Sequence, residues 1–321
     1  MKTLIFLLAF CMSFAFAAPP APAPAPAPSA VFAGVSEESA DLLIGVSSNK
    51  GTYAELTEQM IAACPSPAMS AKETKGGTVV SIDNLLGNII DLAPLTDDAL
   101  YARKKIMGDN RVDDLRILFP LYKAEIHPFA RRDDNTINSF SDFNNKVIGV
   151  YGGAEVTLQV LIAVTNVKPA GVQVYGSETG LLKALANKEI QAGLIVVGQP
   201  AKWAKDLDGK VYKLVPMDKQ GDATKAGYTE ASLNYSNLST IPVPTIAVQV
   251  SFMTYNFKGQ DKVQALTALR NCVKTRIVAI QEKRGNHSKW REIDPNATSK
   301  LWPMFKGGQE TKAPPASKKR K

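Results

Sequence analysis

The chain has 321 residues, 45% of them apolar and 21% charged, a balance that suits a folded protein with a sizeable core and excludes a disordered or collagen-like chain. That length is more than one core usually fills, so two lobes are expected. The formal charge of +8 does not by itself imply a nucleic-acid partner: Lys2 carries one charge at the start, and the stretch FKGGQETKAPPASKKRK (305–321) sets six basic residues against Glu310. The body between them is nearly balanced and holds no nucleic-acid-binding motif of the usual kinds.

In chain order, a basic start at Lys2 leads into an apolar run from Leu4 to Phe16, and the run ends in the small-x-small triplet Ala15-Phe16-Ala17. This is the pattern of a secretory signal over 1–17, cut after Ala17. The run is too short for a spanning helix, which needs ~20 residues, and no later segment is long and apolar enough to cross a membrane. Residues 18–40 follow as a Pro/Ala-rich linker, APPAPAPAPAPSA at its start, which favours an extended polyproline II spacer. An inert tail and a purposeful tether both remain open. At the other end, residues 306–321 read as a basic, disordered tail.

Between these ends, strand and helix signals alternate. LLIGVSS (42–48) reads as a buried strand, and GTYAELTEQMIAACP (51–65) as a helix that Thr52 can cap, with Glu55 three residues on and Pro65 as the stop. KGGTVVSIDNLLGN (75–88) repeats the idea, with Thr78 as candidate cap and Gly87 at the end. IIDLAPL (89–95) is a strand, and LRILFPLYKAEIHPFARR (115–132) one or two more. INSFSDFNN predicts a short helix before the strand KVIGVYGG, and AEVTLQVLIAVTNV is the next helix. VQVYG (172–176) is a strand, SETGLLKALANK a helix capped by Ser177, and IQAGLIVVG (190–198) a strand. PTIAVQVSFMTY (244–255) is a strand with Pro244 confined to its start. KVQALTALRNCVKTRIVAIQEK (262–283) is a helix with a long apolar stripe. Alternation of this kind predicts an α/β architecture with mostly parallel sheets. In such sheets ligands bind beyond the carboxyl ends of the strands, and SSNKGTY, PLTDDA and VYGGAE all fall there.

Cys64 and Cys272 remain once the signal is removed. An exported chain can pair them, but the reading taken here is two buried free thiols, with pairing as the alternative.

The chain is short of parts for an enzyme. Its two histidines, His127 in an apolar strand and His287 in a polar late loop, read as structural or solvated. HExxH, metal-spaced Cys/His clusters, the GxSxG elbow, the Walker loop and GxGxxG are all missing from the sequence. Asp97 and Asp98 are adjacent and, read on a strand, point away from each other. For a receptor the parts are in place. VYGGAEV puts free backbone N–H groups at a helix start, where partial positive charge suits a carboxylate or phosphate. Lys50 and Thr52 can do the same at the first helix, and Gly76, Gly77 and Thr78 at the second. Three such turns at predicted strand ends suggest one pocket, with no cofactor and no metal.

Taken in order, IGVSSNKGTYAELTEQM, then TKGGTVVSIDNLLGNIIDLAPLTDDALYA, then LRILFPLYKAEIHPFARRDDNTINSFSDFNNKVIGVYGGAEVTLQVL, ALANKEIQAGLIVVGQPAKWAKDL and IPVPTIAVQVSFMTY resemble the TAXI class of TRAP-transporter solute-binding proteins over about residues 41–280. The resemblance implies an α/β, two-lobed periplasmic binding protein type II fold with two crossover strands and an interlobe cleft. Lobe 1 takes 41–124 and 243–305, and lobe 2 takes 125–242. It implies an extracytoplasmic receptor, a monomer, that passes a small anionic or zwitterionic carboxylate, an amino acid such as glutamate or a related organic acid, to a TRAP-type membrane permease. Carried onto this sequence, the ligand site is Lys50, Gly51, Thr52, Tyr53, Gly77, Thr78, Thr96, Asp97, Gly153, Ala154, Glu155, Val156, Gly198 and Gln199. Where the family has GSGTE, this chain has Gly152-Gly153-Ala154-Glu155, one residue shorter and without hydroxyls. The alternative reading is a transport-independent binding, sensor or scaffold module on the same fold.

Overall fold

The computed structural model describes residues 42–47, 51–74 and 77–307. The signal, the Pro/Ala-rich linker, Lys50, Gly76 and residues 308–321 of the tail lie outside these.

The apolar run Leu42–Val46 is the first strand, β1, buried along its length. A Cβ on Gly45 would run into Ile90 and lie 3.1 Å from Thr74 Cγ2, so only glycine lets these neighbours close over the strand. Helix α1 is Thr52–Ala63, followed by Cys64 and Pro65. Gly51 occupies the N-cap at φ +94° with no side-chain cap bond. The expected capping by Thr52 is therefore corrected: the left-handed glycine turns the chain straight into the helix, and Thr52 becomes its first residue. Strand β2, Met69–Glu73, gave no sequence signal because it is a polar, largely exposed edge. Helix α2, Gly77–Leu86, ends before Gly87, so Thr78 lies inside the first turn. Strand β3 is Leu92–Thr96 and helix α3 is Asp97–Tyr101.

Strand β4 runs unbroken from Leu115 to Arg131. Its apolar stretch does not alternate because it is buried on both faces, and its Pro120 sits beside a register shift against Ser251, where a missing N–H is tolerated. After a 3-10 turn at Phe140–Phe143 come β5 (Val147–Tyr151), α4 (Ala154–Thr165), β6 (Gly171–Tyr175), α5 (Glu178–Ala186) and β7 (Ala192–Val197). Ser177 caps α5 as expected, accepting from the Gly180 N–H at 3.0 Å. Short elements α6 (Lys202–Asp206), β8 (Tyr212–Leu214), α7 (Gln220–Ala223) and β9 (Thr229–Leu233) precede the long strand β10, Val243–Tyr255. Helix α8 is Gln260–Glu282, with Leu266, Leu269, Val273 and Ile280 on its buried stripe.

The strands form one sheet in the order β2-β1-β3-β10-β4-β7-β5-β6, with β8 on β4 and β9 on β10. β1 with β2 and β3, and β5 with β6 and β7, pair in parallel. Every ladder made by β4 or β10 is antiparallel. The expectation of mostly parallel sheets is thus corrected, because the two longest strands run against their neighbours and carry the chain from one half of the sheet to the other. Phe119 and Phe252 face each other on this crossing pair, rings 5.3 Å apart. One apolar cluster, with Leu42, Leu56, Met60, Leu266 and Trp290, also takes in Ile148, Leu158 and Leu161 and so runs through both halves, and a second holds Phe129, Leu185, Ile195 and Trp203.

Cys64 and Cys272 form a disulfide, with Cα atoms 5.9 Å apart, which corrects the free-thiol reading. The end of α1 packs on α8, so tertiary packing brings together two thiols 208 residues apart in sequence.

Candidate functional site

The carboxyl ends of β1, β3, β5, β6 and β7 converge on a cavity of about 550 Å³. It is lined by Ser47, by Gly51, Thr52 and Tyr53 of the α1 start, and by Gly77, Thr78 and Val79 of the α2 start. Thr96, Tyr122, Ala124, Tyr151, Gly152, Gly153 and Glu155–Thr157 continue the wall, which closes with Val174–Gly176, Glu178 and Ile195–Val197. Gly152 takes φ +62° at the end of β5, a turn that aims the first N–H groups of α4 into the cavity. A Cβ on Gly153 would lie 3.6 Å from Thr78 Oγ1, so the α2 and α4 starts face each other at close range.

Of the residues expected at the site, nine line this cavity: Gly51, Thr52, Tyr53, Gly77, Thr78, Thr96, Gly153, Glu155 and Val156. Lys50 is outside the described residues. Ala154, Asp97, Gly198 and Gln199 do not line it, each for a physical reason. Ala154 is the first residue of α4, and its methyl turns into the core.

Asp97 and Asp98 form the first turn of α3 rather than a strand, and both are buried. Asp98 accepts from Thr157 Oγ1 at 2.6 Å and from the Tyr228 hydroxyl at 2.8 Å, linking α3 to α4. Asp97 is pushed up to about 7, first by burial and then by the charge of Asp98 beside it. The Oδ1 atoms of both have no hydrogen-bond partner among the described residues. The pair therefore backs the wall one residue behind Thr96.

Gly198 and Gln199 belong to a second buried cluster. A Cβ on Gly198 would collide with Lys289 and lie 3.1 Å from Tyr122 Cε2. Lys289 is 1% exposed, and its Nζ donates to Glu125 Oε1 at 3.2 Å, to the Lys123 carbonyl at 3.2 Å and to Glu292 at 2.7 Å. It also lies 5.4 Å from the centre of the Tyr122 ring. Gln199 N–H donates to Glu125 Oε2 at 2.7 Å, and its side chain spans Ser232 and Asn234. Glu125 and Lys289, 164 residues apart, carry no shared local motif, and sequence reasoning passed over them.

Sequence reasoning also passed over Tyr122, Tyr151, Tyr175 and Glu178, which line the cavity. The nearest signal was the place of Tyr151 and Tyr175 at the ends of predicted strands and of Glu178 in the first turn of a helix; Tyr122, in the middle of the segment 115–132, gave none. Burial raises Tyr122 well above the usual phenol range, and burial with the Asp98 charge does the same for Tyr53, so both rings stay protonated and can donate. Burial also raises the Glu178 carboxyl.

Both histidines are spoken for. His127 is buried with Nδ1 2.9 Å from the Glu125 carbonyl and Nε2 2.9 Å from the Tyr235 hydroxyl. A carbonyl only accepts, so Nδ1 carries the proton and Nε2 accepts from Tyr235. Burial lowers this histidine to about 4, which keeps it neutral. His287 Nδ1 accepts from the Lys289 N–H at 3.1 Å, which leaves Nε2 to donate toward Thr52 Oγ1 at 3.4 Å. Among the described residues no group of three or more His, Cys, Asp or Glu side chains could hold a metal ion, and no helix is long and apolar enough to cross a membrane.

Two α/β lobes, two long crossing strands and a cavity at strand ends define the type II periplasmic-binding-protein fold. Tv2483 bound to L-arginine shares it with a TM-score of 0.51 at 11% identity, covering 82% of this chain and 96% of that one. An arginine 3rd transport system periplasmic binding protein from Legionella pneumophila gives 0.42 at 18% identity over 78% and 97% of the two chains, and the GluR0 ligand-binding core complexed with L-glutamate gives 0.47 at 12% over 74% and 94%. Residues 44–270 match the NMT1-like family, and the chain belongs to that family. No curated protein matches it.

Proposed function

We propose that this protein is an extracytoplasmic solute-binding receptor that presents a small amino acid or related carboxylate to a TRAP-type membrane permease. The observation that carries this reading is the cavity of about 550 Å³ onto which the starts of α1, α2 and α4 converge, because backbone N–H groups and helix dipoles at three starts suit a carboxylate. The ligand site in this reading comprises the nine expected residues that line the cavity; Lys50, also expected there, is outside the described residues. Lobe 1 is 41–124 with 243–305, lobe 2 is 125–242, and β4 and β10 are the hinge. Ligand contacts made only when the lobes close would shift the hinge equilibrium. The TAXI resemblance supports the permease partner, and the signal-like residues 1–17 support a periplasmic or extracytoplasmic location for a monomer.

A melting screen across amino acids, dicarboxylates and oxoacids tests this. A true ligand at 100 times its Kd stabilises the fold by about 2.7 kcal/mol, and a panel that moves the midpoint nowhere rejects the reading. That result would favour the transport-independent module, to which the shortened, hydroxyl-free turn Gly152-Gly153-Ala154-Glu155 already points.

A further inference from the structure

The charge on the cavity wall narrows the solute class. Glu155 and Glu178 line the cavity from the first turns of α4 and α5, and neither has an ion-pair partner among the described residues. No lysine, arginine or histidine is among the described lining residues. Behind the wall lie the buried Asp97 and Asp98, which have no ion-pair partner among the described residues. A ligand with surplus negative charge would meet repulsion from two carboxylates in a partly desolvated space. Tyr53, Tyr151 and Tyr175 also line the cavity, and aromatic faces attract ammonium and guanidinium groups.

The same cavity also offers donors. Thr78 and Thr96 are 9% and 8% exposed and line it, and their hydroxyls have no hydrogen-bond partner among the described residues. The starts of α1, α2 and α4 add backbone N–H groups, a setting for one carboxylate. One anionic group and two cationic groups would satisfy every one of these features.

We propose that the cavity takes a small basic amino acid, its carboxylate at the glycine turns of α2 and α4 and its two cationic groups at Glu155 and Glu178. This rests on the receptor reading above and selects among its solutes.

Isothermal calorimetry on the full chain with L-lysine, L-arginine, L-glutamine, L-glutamate and succinate separates the possibilities. The expected result is that L-lysine or L-arginine binds at least about tenfold more tightly than L-glutamine, the worth of one charge-assisted hydrogen bond, and that the two acids do not bind. Glu155→Gln and Glu178→Gln should each weaken the basic ligand by about tenfold or more, and the one whose carboxylate meets the α-ammonium should weaken L-glutamine as well, because L-glutamine shares that group. Unliganded melting of both variants checks that they fold, and if either fails, 1 M salt on the wild type provides the second readout through the same loss of preference. Tightest binding of L-glutamate or succinate, abolished by Lys50→Met, overturns the basic-ligand proposal and leaves the receptor standing. Failure of all five solutes, in a chain whose wider screen is also silent, removes the receptor reading and this proposal with it.

Discussion

Gly153 and Gly198 follow the ends of two strands that pair side by side, β5 and β7, yet one faces the cavity and the other faces a lysine. Beyond Gly153 the space is open except for Thr78 Oγ1. Beyond Gly198 it is filled by the stem of Lys289 and the edge of Tyr122. The acids divide in the same way: Glu155 and Glu178 line the cavity, whereas Asp97 and Asp98 are sealed behind it. A glycine or an acid at a strand end therefore has two distinct uses, to receive a molecule or to receive the protein's own side chain. Only what lies opposite decides which.

The largest effect is expected on the filled side. Lys289→Met leaves Glu125 buried without its cation and should lower stability by ~3–5 kcal/mol in urea unfolding. The double variant Lys289→Met/Glu125→Gln should recover part of that loss, and no recovery would show that the ion pair is not its source. Asp97 comes next. Its folded-state value is raised from 3.8 to about 7, so between these pH values the folded chain holds a proton that the unfolded chain has released. Stability from this group is therefore greatest below about pH 4, falls as pH rises to about 7 and is flat above, by an amount on the order of 4 kcal/mol. Asp97→Asn should flatten that slope and raise the melting temperature at pH 8, whereas an unchanged slope would place the titration elsewhere.

Smaller effects test the two glycines directly. Gly198→Ala forces a methyl against Lys289 and Tyr122 and should cost about 1–3 kcal/mol, with no change in the affinity of any solute in the calorimetric panel. Gly153→Ala has an ordinary helical φ of −66° and room for the methyl, so its melting should stay within ~0.5 kcal/mol of wild type. Its affinity for a bound solute should fall by roughly 1–3 kcal/mol, the worth of one methyl in a tight pocket. Equal behaviour of the two variants in both measurements would erase the distinction between them.

Much of the fold was legible in the sequence. Apolar runs such as LLIGV and VIGVY, glycine turns and the stripe of α8 are local patterns, and local patterns specify local structure. Strand β2 was missed because an exposed edge strand has no apolar face to display. The role of Thr52 was misjudged because a left-handed glycine and a threonine offer competing ways to begin a helix, and both are present. Nine candidate site residues meet at the cavity because helix starts at the ends of neighbouring strands must converge. Gly198 and Gln199 failed for the opposite reason, since partners from distant segments fill the space beside them, and Asp97 failed because the first turn of α3 buries it behind the wall.

The sequence by itself determined the main alternation of strands and helices and the positions of the glycine turns, because these depend on side-chain periodicity and allowed backbone angles within a few residues. Only the tertiary structure decided that β4 and β10 run against their neighbours, that Cys64 meets Cys272, that Lys289 fills the space at Gly198 and that Asp97 and Asp98 are buried together. Those outcomes depend on register and packing between separate segments of the chain, and in the Asp97–Asp98 pair on what the rest of the chain folds over them, which no short stretch of sequence contains.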